Sequence, residues 1–303
     1  MIFFSIIMPT YNRAHFITHA IQSVLKQSFA NWELIIVDDG STDTTQQVLQ
    51  EYLGDQRITY LYQSNQERSA ARNQGIRMAK GKFICFLDSD DYYLSNHLDV
   101  LHQYIQIHML GAAFLYTQPY REHNKVRRLN VPFEKITNNG IYNILFEGLL
   151  DINSVCISKT CLEEDLFPEQ FFLFEDNHLW LRILSKYPFY YIPTPTTVAV
   201  EHPQRTVNVT AQNLLSKEKM YFDAVNHLIS HYPYVKVSSK EWNKFKALKK
   251  LTLAFEALHT KNIKFVYKFV FESIFIHFIP SKIDKYFKLI TLSWVVKIFN
   301  IKT

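Results

Sequence analysis

Four times before residue 110 an apolar run of strand length gives way to a stretch of helical periodicity. The runs are Ile2 to Met8, Glu33 to Val37, Arg57 to Tyr62 and Lys82 to Leu87. The stretches between and after them carry Ile17, Ala20, Ile21, Val24 and Leu25, then Val48, Leu49, Tyr52 and Leu53, then Ser69 to Ala79, then Leu98, Leu101 and Ile105. Such alternation with short connections predicts a largely parallel sheet covered by helices on both faces, an α/β fold. Ligands of such sheets collect at the carboxyl ends of the strands. Those ends here carry Thr10-Tyr11-Asn12, Asp38-Asp39 and Asp88-Ser89-Asp90, so the three motifs are expected to face one crevice.

The fourth run breaks off into Asp88-Ser89-Asp90-Asp91, three carboxylates within four positions. Like charges about 4 Å apart repel by roughly 4 kcal/mol at an effective dielectric near 20, so a cation or strong donors are expected beside them. Hard oxygen ligands without a histidine or cysteine cluster suit Mg²⁺ or Mn²⁺. The plainer alternative is that Asp88 and Asp90 start a turn and cap the helix that opens near Ser95.

Hydrophobic content of 48% excludes a disordered chain, and the formal charge of +5 is unevenly divided. Lys217 to Thr303 holds 16 lysines, no arginine and 6 acids, a net of +10, which leaves −5 for residues 1–216 and argues against a nucleic-acid partner for the main body. Cys85, Cys156 and Cys161 are odd in number and lack metal spacing, as suits a reduced cytoplasmic protein. The apolar start has no basic flank and is too short for a signal peptide, so export by that route is not expected.

Ala112 to Thr117 reads as a strand, and Gln118 to Gly140, with Arg121, Lys125, Arg127 and Arg128, as a long polar loop or flap. Asn153 to Ser158 is an expected strand and Asp176 to Lys186 a helix. Tyr190 to Glu201, interrupted by Pro193 and Pro195, reads as irregular or edge strand. Boundaries fall near 117 and 210, and the pattern from Ala211 onward is helical. In that tail Lys264, Lys268 and Glu272 draw one polar stripe on a broad apolar helix, and Tyr286 to Phe299 repeats the theme. No clean apolar run reaches spanning length, so the tail is expected to lie on a membrane surface. The alternatives are that these faces pack on the catalytic domain or on a second protomer.

Taken in order, Pro9-Thr10-Tyr11-Asn12, Val37-Asp38-Asp39-Gly40-Ser41-Thr42-Asp43, Ala71-Arg72-Asn73 with Gly75, Leu87-Asp88-Ser89-Asp90-Asp91, and Glu175-Asp176 with Trp180-Leu181-Arg182 resemble the family 2 glycosyltransferases of GT-A fold. The resemblance covers residues 1 to about 205. It implies transfer of a sugar from a nucleotide-sugar to an acceptor hydroxyl with inversion, a donor-binding first half (1–117), an acceptor-binding second half (118–210) and a bridging divalent cation. Residues 211–303 form a helical extension outside it. The usual Asn-x-Gly ahead of the third helix reads Asn65-Gln66-Glu67 here, which leaves the local backbone path and any contact of Arg68 open.

On that resemblance, Asp39 suits the uracil N3–H, its alternative being a cap on the next helix that Ser41 or Asp43 could supply instead. Thr10 sits beside the base or serves the turn, and Asp38 is a ribose contact or a structural acid. Arg72 shares a helix face with Arg68 and contacts the diphosphate or holds Asp38 and Asp88 by ion pairing. Asp90 is the direct metal ligand, Asp88 faces the ribose or a metal-bound water, and His202 reaches the metal or diphosphate. Asp176 is the general base, with helix capping as its alternative, and Glu175 is an orienting or acceptor-binding acid. The sequence thus describes an inverting, Mn²⁺- or Mg²⁺-dependent enzyme that uses a UDP-sugar and a glycan or lipid-linked oligosaccharide acceptor, on the inner face of the plasma membrane. The Gln-x-x-Arg-Trp motif of processive synthases is not found. A nucleotidyltransferase would carry a glycine-rich basic loop after the first strand, which Pro9-Thr10-Tyr11-Asn12 is not, and a non-catalytic scaffold would have no use for both Asp90 and Asp176.

Overall fold

The computed structural model describes residues 1–129, 150–205, 214–279 and 282–299, and the chain divides into two units, Met1–His202 and Pro203–Thr303. In the first unit β1 (Phe4–Thr10), β2 (Trp32–Asp38), β3 (Ile58–Tyr62) and β4 (Phe83–Phe86) alternate with α1 (Ile17–Leu25), α2 (Thr45–Gln50) and α3 (Glu67–Met78). They lie side by side in the order β3-β2-β1-β4, all parallel, as the alternation requires. Every residue of β1 and β2 is buried, which is why both read as near-continuous apolar runs rather than alternating ones. Gly75 lets α3 approach β1, since a Cβ there would stand 2.5 Å from Ile7 Cγ2.

Beyond β4 the sheet is mixed. The short β5 (Tyr92–Tyr93) and α4 (His97–Ile107) precede β6 (Phe114–His123), β7 (Val126–Leu129), β8 (Val155–Ser158), α5 (Glu175–Leu184) and β9 (Phe189–Val200). The order continues β4-β8-β6-β9-β5, with β7 paired to β6. One expectation changes here, and of the two readings of Tyr190 to Glu201 the strand holds. Gln118 to Leu129, read as loop, is a hairpin of β6 and β7, fastened to β5 by Arg127, whose Nε donates to Glu122 (3.0 Å) and whose Nη2 donates to the Tyr92 hydroxyl (2.8 Å). The rest of the expected flap, 130–140, lies outside the described residues. Tyr190 to Val200 belongs to one long strand, β9, paired along β6 with register shifts at Thr117/Gln118 and Gln118/Pro119. Its prolines are tolerated because β5 pairs only Thr197 and Val198, so the Pro193–Pro195 stretch is an edge on that side.

The second unit holds α6 (Leu214–His231), α7 (Ser239–His259), α8 (Ile263–Ile276) and α9 (Ile283–Phe299). Ser238 and Glu241 form a reciprocal capping box at the start of α7. Leu251, Ala254, Ala257, Val266, Phe269, Val270, Tyr286 and Leu289 make the core of this unit. Among the described residues no helix is long and apolar enough to cross a membrane.

Candidate functional site

Because β2, β1 and β4 are neighbours, the three acidic or polar strand ends come together. Thr10 O accepts the Asp39 amide at 2.9 Å. Asp39 Oδ1 accepts the Gln63 amide nitrogen Nε2 (2.7 Å) and the backbone N–H of Gln66 (2.9 Å), so it fastens the end of β2 to the start of α3. Asp43, not Asp39, serves α2, its Oδ1 accepting from Thr45 N at 2.9 Å. Asp38 is fully buried and takes hydrogen bonds from Ser41 N (2.8 Å) and the Tyr60 hydroxyl (3.0 Å), the arrangement of a structural acid. The Thr10 hydroxyl is buried and meets no hydrogen-bond partner among the described residues. A hydroxyl left so at a strand end is a group a ligand could satisfy.

The loop after β4 sorts its three acids by environment. Asp91 is buried, with Oδ1 accepting from Val200 N (2.6 Å) and Oδ2 from Asn153 Nδ2 (2.8 Å). Asn153 Oδ1 in turn accepts the Asp88 amide at 2.7 Å. Asp91 and Asn153 therefore fix the loop's backbone and tie it to the end of β9, two residues before His202. Asp88 and Asp90 are half-buried. Asp90 Oδ2 stands 3.1 Å from His202 Nε2 and 3.5 Å from Arg13 Nε, and the His202 ring stacks on Phe16 with centroids 4.5 Å apart. Ligand atoms of Asp88, Asp90 and Asp91 lie within 4.8 Å of one another. Half-exposed carboxylate oxygens with an imidazole nitrogen at hydrogen-bond distance form a donor set that fits Mg²⁺ or Mn²⁺.

Arg72 links this loop to α5. Its Nη2 donates to Asp88 Oδ1 (2.8 Å) and its Nη1 stands 3.4 Å from Glu175 Oε1, while Arg68 Nε reaches the same Glu175 oxygen at 2.7 Å. Burial pulls the Arg72 guanidinium down, but Asp88 and Glu175 outweigh it, and its pKa is raised. Glu175 is itself buried, and its Oε1 pairs with both arginines. Asp176 follows in the first turn of α5 and lies within electrostatic reach of Arg72. Burial, and after it the neighbouring Glu175 charge, push its carboxyl up to about 6. Phe174, which leads into this helix, has a φ of 71°, an unusual value for a bulky residue. Trp180 is wholly buried and packs on Phe86, Phe114 and Phe167.

Two features had weak signals in the sequence. Arg13 directly follows the Pro9-Thr10-Tyr11-Asn12 motif, and only the fold brings it to Asp90. Glu67 stands where the glycine of Asn-x-Gly was expected and has a φ of 72°, in the left-handed region that favours glycine. The contact of Arg68 with Glu175 is made. A left-handed conformation costs a residue with a Cβ roughly 1–2 kcal/mol, whereas an acid in a helix's first turn gains only about 0.3–1 kcal/mol from the dipole. Glu67→Gly is therefore expected to stabilise the fold by about 0.5–1 kcal/mol, read as a higher urea midpoint at an unchanged slope. A lower midpoint would show that the Glu67 side chain does more than the strain costs.

Comparison with known proteins follows the same lines. The sequence model described as "Glycosyl transferase family 2" matches residues 5–161. A UDP-Glc:alpha-D-GlcNAc-diphosphoundecaprenol beta-1,3-glucosyltransferase (WfgD) of Escherichia coli is 39% identical over 186 residues, covering 60% of this chain and 69% of that one. An uncharacterised glycosyltransferase of Rickettsia conorii is 32% identical over 183 residues, 60% of this chain, and the match spans only 30% of that protein's length. Among solved structures, Staphylococcus aureus TarS (residues 1–349) with UDP superposes at a TM-score of 0.57 with 19% identity, covering 98% of this chain and 91% of that one. The mannosyltransferase PcManGT of Pyrobaculum calidifontis with GDP-Man and Mn²⁺ gives 0.54 and 16%, covering 99% and 88%. Likenesses of this depth establish the fold, which is of GT-A type.

Proposed function

The chain belongs to glycosyl transferase family 2, and from that premise we propose that it is an inverting enzyme that moves a sugar from a nucleoside-diphosphate donor to a hydroxyl of a growing surface glycan. The donor is a UDP-sugar and the glycan is of capsule or lipopolysaccharide type. Residues 1–117 hold the donor, 118–210 the acceptor, and 211–303 form a helical extension. The observation that carries the reading is the Arg72 bridge, because one buried guanidinium touches both Asp88 of the acid loop and Glu175 of the helix that bears Asp176. Acids far apart in the chain are thereby gathered around one cation.

Each residue then has a task. Asp39 accepts the uracil N3–H, and the buried Thr10 hydroxyl lies beside the base. Arg72 holds Asp88 toward the ribose side and contributes positive potential to the diphosphate. Asp176 takes the acceptor hydroxyl's proton as its oxygen attacks the anomeric carbon and the bond from that carbon to the diphosphate breaks, which inverts the configuration. Glu175 orients Arg68 and Arg72 and flanks the acceptor. When bound by Asp90 with Asp88 and His202, Mn²⁺ or Mg²⁺ supplies Lewis-acid neutralisation of the charge that builds on the departing diphosphate.

The name of the Escherichia coli relative, with its UDP-Glc donor and diphosphoundecaprenol acceptor, supports a UDP donor and a lipid-linked acceptor. The test is a screen of UDP- and GDP-sugars for hydrolysis with and without Mn²⁺. Metal-dependent release of UDP is expected; release of UMP with a sugar 1-phosphate would instead mark attack at phosphorus, as in a nucleotidyltransferase, and no turnover of any donor a scaffold.

A further inference from the structure

The outward side of α8 is not the polar stripe its sequence suggests. Lys264, Lys268, Phe271 and Phe275 are spaced four, three and four apart, which places them along one side of the helix, and all four are exposed. Phe271 is 51% and Phe275 85% exposed, and Phe278, just past the helix, is 46%. Glu272, the third member of the expected stripe, turns away and accepts from Lys250 Nζ of α7 at 2.5 Å. The one acid of α8 is thus neutralised within the tail. On α9, which packs against α8, Ile283 is 44% and Phe287 63% exposed, with exposed Lys285 and Lys288 alongside.

We propose that this side of α8 lies flat on an anionic lipid surface. Phe271 and Phe275 enter the boundary between headgroups and acyl chains, and Lys264 and Lys268 meet the headgroup phosphates. Large exposed aromatics along one side of a helix call for a partner that removes them from water. Lysines between them select a negatively charged partner, and the net charge of +10 over residues 217–303 makes the complementarity general to the tail. A second protein copy would bring the same positive charge and repel it. Docking in the interface needs no spanning helix, which agrees with the helix lengths and polarity of this unit.

The inference extends the lipid-linked acceptor reading but is tested without sugar transfer. Full-length protein is sedimented with phosphatidylcholine vesicles, with and without phosphatidylglycerol, at low and high salt. Binding is expected only with phosphatidylglycerol and is weakened by salt. Phe271→Asp with Phe275→Asp is expected to lower partition by about tenfold or more, because two inserted side chains are replaced by charges that the lipid repels. Both positions face solvent, and unchanged circular dichroism would verify the fold. Equal binding of the double variant, no binding of the unaltered chain, or a concentration-dependent dimer that the two substitutions dissolve would each overturn the proposal. Vesicle binding without turnover of any donor would overturn only the glycosyltransfer reading.

Discussion

With Asp176 as the proposed general base, Asp176→Asn is expected to lower turnover by about 10²- to 10⁴-fold, the range a positioned base contributes, while leaving UDP affinity unchanged. An acceptor hydroxyl is a weak nucleophile, and its attack needs the proton removed as the bond forms. The carboxamide keeps the shape of the side chain and cannot take that proton. A base is most effective when its pKa lies near the working pH, and burial and then Glu175 raise this carboxyl to about 6. The backbone N–H of Asn177 and the arginines 68 and 72 pull in the other direction without cancelling the rise. For the unaltered enzyme kcat/KM is therefore expected to climb with pH and level off above about 6. A variant with intact turnover, or a flat profile from pH 5 to 7, would remove Asp176 from the mechanism.

The same substitution carries a second signature of opposite sign. An acid whose folded-state pKa exceeds its unfolded value binds its proton more tightly when folded, so its stabilising contribution is full below about pH 4 and is lost as pH rises through about 6. At neutral pH the ionised Asp176 is thus a liability, of the order of 1–3 kcal/mol at about 1.4 kcal/mol per pKa unit with allowance for partial exposure. Asp176→Asn is expected to melt higher than the unaltered chain at pH 8, with the gap closing toward pH 4. Lost activity coupled to gained stability is what a group held for chemistry produces, whereas a purely structural acid in the helix's first turn would on substitution lose about 0.3–1 kcal/mol of dipole stabilisation and leave turnover unchanged.

The parallel half of the sheet was legible because its signals are local. Each strand of β1 to β4 is a short apolar run, each helix declares its period, and the acids sit at run ends, so adjacency of β2, β1 and β4 was enough to bring Thr10, Asp39 and Asp88 together. What escaped the sequence is whatever depends on a distant partner. The hairpin of β6 and β7 looks like a polar loop because β7 is fully exposed, and it is a strand only by pairing with β6. Prolines made β9 look broken, although β5 leaves that stretch without a neighbour to need its missing donors. Arg13 and Asn153 have no distinguishing local context, and their contacts with Asp90, Asp88 and Asp91 span loops that only the finished sheet closes. In the tail the polar stripe of Lys264, Lys268 and Glu272 revealed a helix but not its outward side, since Glu272 is claimed by Lys250 of another helix.

Asp90→Ala is expected to abolish the gain in UDP affinity that Mn²⁺ brings and to lower turnover by about 10³-fold or more, several kcal/mol of lost charge stabilisation. Of the three acids in the loop, Asp91 is committed to Val200 N and Asn153, and Asp88 is drawn to Arg72, which leaves Asp90 as the carboxylate facing His202 and Arg13. Its removal also takes away the carboxylate that stands 3.5 Å from Arg13 Nε. The two effects separate cleanly. Without added metal the variant should bind UDP at least as well as the unaltered chain, because a negative charge is removed from the loop proposed to face the diphosphate. With Mn²⁺ it should gain nothing. Calorimetric titration of UDP in EDTA and in Mn²⁺ reads both arms, and a variant whose affinity still climbs on adding Mn²⁺ would move the metal away from Asp90.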